Sequence, residues 1–399
     1  MSLGACIDVP PSVDRCAELE RDLGDCLGTA TIGIDCETLS ERDLSRIEQS
    51  VDFCGELQGI LPTDGDPQSA ACRTLGFGCV SPLTPAPVSR PTRYPVVLVN
   101  GIDTSPLFNW SDRIVEVLRR DAGVDVHLAT LPPYQPPQKR APDLWRRIQE
   151  IVELTGADEV NLVCHSLGGL DCRYLVSPGG LHWDVEADQA TIASRVASIT
   201  TVGTAHFGTP VADQLLGALS SSDQAALVDA YAAIVGDWFT AEALADDPDL
   251  RASIAALTPA QAEAFNLEIV DAEGIVYQSW GGFSAPFGAA PPSYLPALET
   301  LCVPDEGGLA FFGGAHDYMS LALVPFYEAA GQGPHGEVAP NDGLAPLAST
   351  RWGRFRGCIP ADHQEQLGKQ NLPDVNVRTG LDIAWFYAAV THDLAEQGL

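Results

Sequence analysis

The stretch NLVCHSLGGLDCRYL, residues 161–175, decides how this chain is read. Its first half, through Cys164, is an apolar run of strand length, and its second half can be helical. Between them Ser166 stands at a glycine-containing turn. A serine on a sharp strand-to-helix turn is presented for nucleophilic attack, and such turns carry the pattern G-x-S-x-G. Here the first glycine is replaced by Cys164. Cysteine is small and prefers burial, so the turn can accommodate it.

The flanking sequence has the texture of alternating strands and helices. Before the turn come PVVLVN (95–100), a helical WSDRIVEVLRRDAG (110–123), a strand VDVHLATL (124–131), and a helix PDLWRRIQEIVELTG (142–156) with Gly156 as its stop. After it comes SITTVGTAHFG (198–208). Such alternation predicts a parallel, doubly wound sheet. Residues 211–272 interrupt it with an alanine- and leucine-rich helical run, read as a cap or lid inserted before the strand-like GIVYQSW (274–280). The last segment, GLDIAWFYAAVTHDLAEQ (380–397), reads as an amphipathic helix covering one edge of the sheet.

Composition bounds the possibilities. With 399 residues, 45% hydrophobic, the chain can bury one large domain and a smaller one. A net charge of −32, with Lys139 and Lys369 as the only lysines, argues against nucleic acid as a partner. No run approaches the roughly 18 apolar residues of a membrane helix. Seven of the 11 cysteines lie in residues 1–80, at positions 6, 16, 26, 36, 54, 72 and 79. This density predicts a disulfide framework and an oxidising, secreted location. The odd total leaves a free thiol, expected at Cys164 or Cys172. The opening MSLGACIDVP has no basic-then-apolar leader, as a mature secreted chain would read. Residues 1–80 also carry two helical patterns, at 12–27 and 40–61. They form a cysteine-rich helical segment, joined by a proline-rich linker (81–94) to a catalytic domain over 95–399.

A serine hydroxyl needs a histidine to take its proton, and the histidine needs a carboxylate to hold its tautomer. In chains with this kind of turn the order is serine, acid, histidine. Of eight histidines, His363 in PADHQEQLG (360–368) fits that order, while His392 falls on the polar face of the last helix. Asp342 in PNDGLAP (340–346) lies 21 residues earlier, with room for one strand between, and Asp317 and Asp305 are reserves. The oxyanion formed in acyl transfer needs two backbone N–H donors. Leu167 follows the nucleophile, and Ile102 sits on the loop after the first strand.

The blocks YPVVLVNGI (94–102), ELTGADEVNLVCHSLGGLDCRYL (153–175), VASITTVGTAHFGTPVADQL (196–215), YQSW (277–280), NDGL (341–344) and the histidine loop occur in a familiar order. The chain resembles the Pseudomonas–Burkholderia type of secreted bacterial triacylglycerol lipases over about residues 93–370. The resemblance implies an α/β-hydrolase fold with a mobile helical lid, and hydrolysis of lipid esters at a lipid interface. By it Ser166, Asp342 and His363 match the nucleophile, acid and base, Ile102 and Leu167 match the oxyanion donors, and His206 is structural. One departure is Asn100, where the family has histidine before the oxyanion loop. The chemistry needs no cofactor, but the family holds a structural calcium near the histidine loop. Asp317 and Glu365 are its candidate carboxylates here, with Lys369 where an oxygen ligand would be expected. Cys302 and Cys358 are placed to form a disulfide pinning that same region. An acyltransferase with the same triad and a silent lipid- or surface-binding protein are the alternatives, and the need for a foldase stays open.

Overall fold

A computed structural model describes residues 83–104, 108–180, 188–218, 248–288, 290–305, 317–332, 338–368, 376 and 379–399. The expected cysteine-rich helices of residues 1–80 lie outside the described residues, as do Lys369 and residues 219–247 of the expected lid. By compactness the chain divides into residues 1–82 with 372–380, and residues 83–371 with 381–399.

The second unit holds the sheet. In chain order its elements are β1 (Val96–Val99), α1 (Asp112–Arg120), β2 (Val126–Ala129), α2 (Pro137–Thr155), β3 (Val160–His165), α3 (Leu167–Val176), α4 (Gln189–Ala193) and β4 (Val196–Val202). There follow α5 (Pro210–Ala218), α6 (Pro248–Ala255), α7 (Pro259–Glu268), β5 (Val276–Gly282), α8 (Tyr294–Leu301), α9 (Tyr327–Ala330), β6 (Arg354–Ile359) and α10 (Ile383–Glu396). All six strands are parallel, in the order β2-β1-β3-β4-β5-β6. The order reverses between β1 and β3, because right-handed crossovers send α1 to one face and α2 to the other.

Burial on both faces explains why β1 is VVLV rather than an alternating strand. Val96 and Leu98 enter one core with α1 and α10, while Val97 and Val99 enter a second core with α2 and α3. Local signals set the helix ends. The Ser111 hydroxyl caps α1 by accepting from the Ile114 N–H, and α2 stops at Gly156, whose φ is +70°.

Two expectations need correction here. Cys164 and Cys172 do not leave a free thiol beside the turn, because they form a disulfide with each other. Helix α10, expected as an amphipathic helix covering one edge of the sheet, is buried more deeply than that pattern suggests: ten of its 14 residues are buried, in one core with β1, β6 and α1. Cys302 and Cys358 are paired, joining the end of α8 to β6. The proline-rich segment, from Leu83, runs as a strap: the Arg90 N–H donates to Ala122 O and the Arg93 N–H to Leu399 O.

Candidate active site

The crevice at the reversal between β1 and β3 lies beyond the strands' C-terminal ends, and the turn at Ser166 opens into it. Ser166 has φ +54° and ψ −130°, a conformation non-glycine residues rarely adopt. Its N–H donates to Val202 O, and its carbonyl accepts from the Thr204 hydroxyl at 2.7 Å, so β4 holds the turn in place. Gly168 lets α3 start this close to β1. A Cβ there would sit 2.6 Å from Asn100 O. Cys164 needs no such space, because its side chain enters the core between β3 and α3.

The fold brings three of the residues singled out from the sequence together. The Ser166 Oγ lies 2.8 Å from His363 Nε2, and His363 Nδ1 lies 2.8 Å from Asp342 Oδ2. His363 and Asp342 are buried, whereas Ser166 is half-buried. The Asp342 carboxylate is well supplied with donors. Oδ1 accepts from the N–H groups of Leu344 and Ala345, and Oδ2 from the Gln366 amide at 2.9 Å. The reserve acids lie elsewhere. Asp305 accepts from the Phe355 N–H at the start of β6, and Asp317 belongs to a separate carboxylate cluster. His392 is half-buried on α10.

Leu167 is the first residue of α3, so its N–H belongs to the helix end that lacks intrahelical acceptors. The loop bearing Ile102 is braced from several sides. Ile102 O accepts from the Tyr134 N–H, while Asn100 accepts from the Leu131 N–H and donates to Gly101 O at 3.0 Å. Asn100 O in turn accepts from Arg140, whose Nε donates to Asp171 at 2.9 Å. Both members of that ion pair are fully buried, and burial pushes the Asp171 carboxyl up to about 6 despite the guanidinium beside it.

Two relatives each align with about two thirds of this chain. The triacylglycerol lipase of Vibrio cholerae is 31% identical over 284 residues, covering 66% of this chain and 75% of its own. That of Burkholderia plantarii is 31% identical over 300 residues, with coverage of 66% and 75%. The chain belongs to the triacylglycerol lipase family. This is a family of carboxylic-ester hydrolases with the α/β-hydrolase fold. Among solved structures, Staphylococcus hyicus lipase superposes with a TM-score of 0.51 at 15% identity, covering 76% of this chain and 95% of that one. EstA from Clostridium botulinum gives 0.51 at 14% identity, covering 95% and 98%. No family model matches the chain.

Behind the histidine loop the lipase fold gathers Asp317, Asp362 and Glu365, whose carboxylate oxygens all lie within 4.8 Å of one another. Asp362 was not singled out in the sequence. All three are buried. Burial, then the charge of Asp317, pushes the Glu365 carboxyl well above its ordinary range, and burial raises Asp362 as well. Such a cluster must hold protons or a cation. Its hard, anionic oxygens, two of them on one turn of the histidine loop, fit calcium. The Asp362 carboxylate also accepts from the N–H groups of Ser320, Gln364 and Glu365, so it is already oriented.

Two buried histidines have separate roles. His165 packs its ring 4.6 Å from that of His363, and burial followed by the charge of His363 holds it neutral. Its ring thus lies beside that of the base. His206 Nε2 lies 2.9 Å from the Thr201 hydroxyl and its Nδ1 3.3 Å from Arg173. The Arg173 guanidinium is stacked 3.4 Å from the Trp352 ring and donates to Asn266 and to Ile269 O, which ties α3 to α7.

Proposed function

We propose that this protein is a secreted serine hydrolase that cleaves lipid carboxylic esters through an acyl-enzyme on Ser166. The observation that carries the reading is the chain of two 2.8 Å contacts from Ser166 through His363 to Asp342.

In this reading His363 Nε2 takes the Ser166 proton as Oγ attacks the ester carbonyl. The Asp342 carboxylate, accepting at Nδ1, keeps the proton-bearing nitrogen on its own side and stabilises the imidazolium. The Leu167 and Ile102 N–H groups receive the developing oxyanion, the second from a loop that Asn100 and Arg140 stop from shifting. His363 then returns the proton to the leaving alcohol. The same three groups, with water in place of the alcohol, release the acid and restore Ser166. A structural calcium on Asp317, Asp362 and Glu365 would offset most of their charge and fasten the loop carrying His363. No step of the reaction passes through it.

The substrate class follows from the family, whose named members are triacylglycerol lipases, and the partner is a water-insoluble ester at a lipid interface. The lid reading of residues 211–272 rests on their sequence. Secretion is supported by the two disulfides among the described residues, which belong to an oxidising compartment. Among the described residues no helix is long and apolar enough to cross a membrane.

The test is covalent. A fluorophosphonate should label one residue, Ser166, and abolish hydrolysis of p-nitrophenyl and glyceride esters in proportion. Labelling of a different residue, or full activity after complete labelling, would overturn the reading. A chain-length series on the unlabelled enzyme then identifies the preferred acyl group.

A further inference from the structure

Gln366 meets the acid at the same carboxylate oxygen as the base. Its Nε2 donates to Asp342 Oδ2 at 2.9 Å, and that oxygen also accepts from His363 Nδ1 at 2.8 Å. The side chain is fully buried and its backbone is fixed at both ends. The Gln366 N–H donates to Asp362 O, and its carbonyl accepts from the Tyr387 hydroxyl at 2.8 Å.

The space around the carboxamide is made for it. A Cβ at Gly203, the residue after β4, would stand 2.1 Å from Gln366 Oε1. A Cβ at Gly282, the last residue of β5, would stand 2.0 Å from Gln366 Nε2 and 2.7 Å from Ala361 O. Two neighbouring strand ends therefore lack side chains where this amide passes between them to reach the acid.

We infer that Gln366 is a positioning residue for the reaction, holding the Asp342 carboxylate in the plane and at the oxygen that His363 requires. This rests on the serine-hydrolase reading above. With Oδ1 fixed by two backbone donors, the carboxylate would still have only the histidine at Oδ2. That single bond would have to orient both partners at once. A neutral amide donor at Oδ2 removes the freedom without adding a charge that would compete with the imidazolium.

The experiment is a double-mutant cycle of Gln366→Met and Asp342→Asn in the full chain, assayed on a soluble p-nitrophenyl ester, with Ser166→Ala as control. Gln366→Met keeps the length of the side chain and deletes the donor. It should lower kcat on the order of 10- to 100-fold, as for a lost hydrogen bond to a charged group, with KM within twofold. In the Asp342→Asn background the same substitution should change kcat less than twofold, because the group through which it acts is gone. Equal fold-losses in both backgrounds would make Gln366 a packing residue and overturn the inference. So would a kcat within twofold of wild type for Gln366→Met. Should Gln366→Met fail to fold, Gln366→Asn, too short to reach Oδ2, takes its place in the cycle. Failure of both to fold would assign the residue to folding and likewise overturn the inference. If Ser166→Ala keeps its activity, the serine reading itself falls. If Ser166→Ala is inactive and the cycle is additive, only the role of Gln366 falls.

Discussion

Ser166 and His363 lie 197 residues apart in the chain and 2.8 Å apart at Oγ and Nε2. The contact requires β3 and β6 to end at the same side of one parallel sheet, and each to be followed by a turn that opens into the same crevice. The chemistry of the site depends on that alignment, and the following outcomes test it.

Ser166→Ala should reduce kcat on the order of 10⁶-fold while melting at the wild-type temperature, since the hydroxyl is half-buried and its loss leaves no cavity. Ester hydrolysis by purified protein and a thermal melt are the two measurements. More than a few per cent of residual activity would move the nucleophile elsewhere.

Asp342→Asn should reduce kcat roughly 10⁴-fold, because the amide no longer selects the histidine tautomer. Asp305→Asn, whose carboxylate lies at the opposite end of β6, should stay within twofold of wild type. The reverse pattern would mean that the acid has been misassigned.

Calcium should raise the melting temperature and a chelator should lower it, by an amount that grows with the logarithm of free calcium. Glu365→Gln should abolish the difference between the two conditions. Identical melting curves with calcium and chelator would instead mean that Asp317, Asp362 and Glu365 share protons.

His206 should make stability depend on pH in a definite direction. Burial, then Arg173, holds its pKa well below the ordinary value of 6.5. The unfolded chain thus binds a proton below pH 6.5 that the folded chain refuses, and stability falls as pH falls through that value. His206→Gln lacks this proton. From pH 7.5 to pH 5.5 its stability deficit relative to wild type should therefore shrink by about 1.4 kcal/mol. Urea midpoints at the two pH values measure it. An unchanged or widening deficit would show that His206 is charged in the fold.

Much of this was legible along the chain for physical reasons. A strand buried on both faces is largely apolar, so Val96–Val99 and the run Val160–Cys164 announce themselves. The turn at Ser166 needs small residues at fixed spacing, and the acid and base follow in a fixed order. What escaped reading depends on contacts between distant segments. Arg140 and Asp171 look like ordinary polar positions on two helices until α2 and α3 pack and bury both. Gln366 and Asp362 flank a histidine without any spacing that marks them. Cys164 and Cys172 looked like packed thiols, because nothing in a separation of eight residues says that a strand and the helix after it will face one another there. Helix α10 carries Asp393 next to His392 on what reads as a polar face, and Arg356 on β6 reaches it there.

The bridge between Cys164 and Cys172 also bears on how the protein is made. Both cysteines are fully buried in the folded chain, so an oxidant can reach them only before β3 and α3 close over them. The bond is therefore formed during folding or is missed until the chain next opens. A preparation folded in a reducing cytosol would keep two concealed thiols, and later exposure to air would not convert it. Two samples of the same sequence would then differ by one covalent bond, set by the compartment in which each was synthesised rather than by how it was stored.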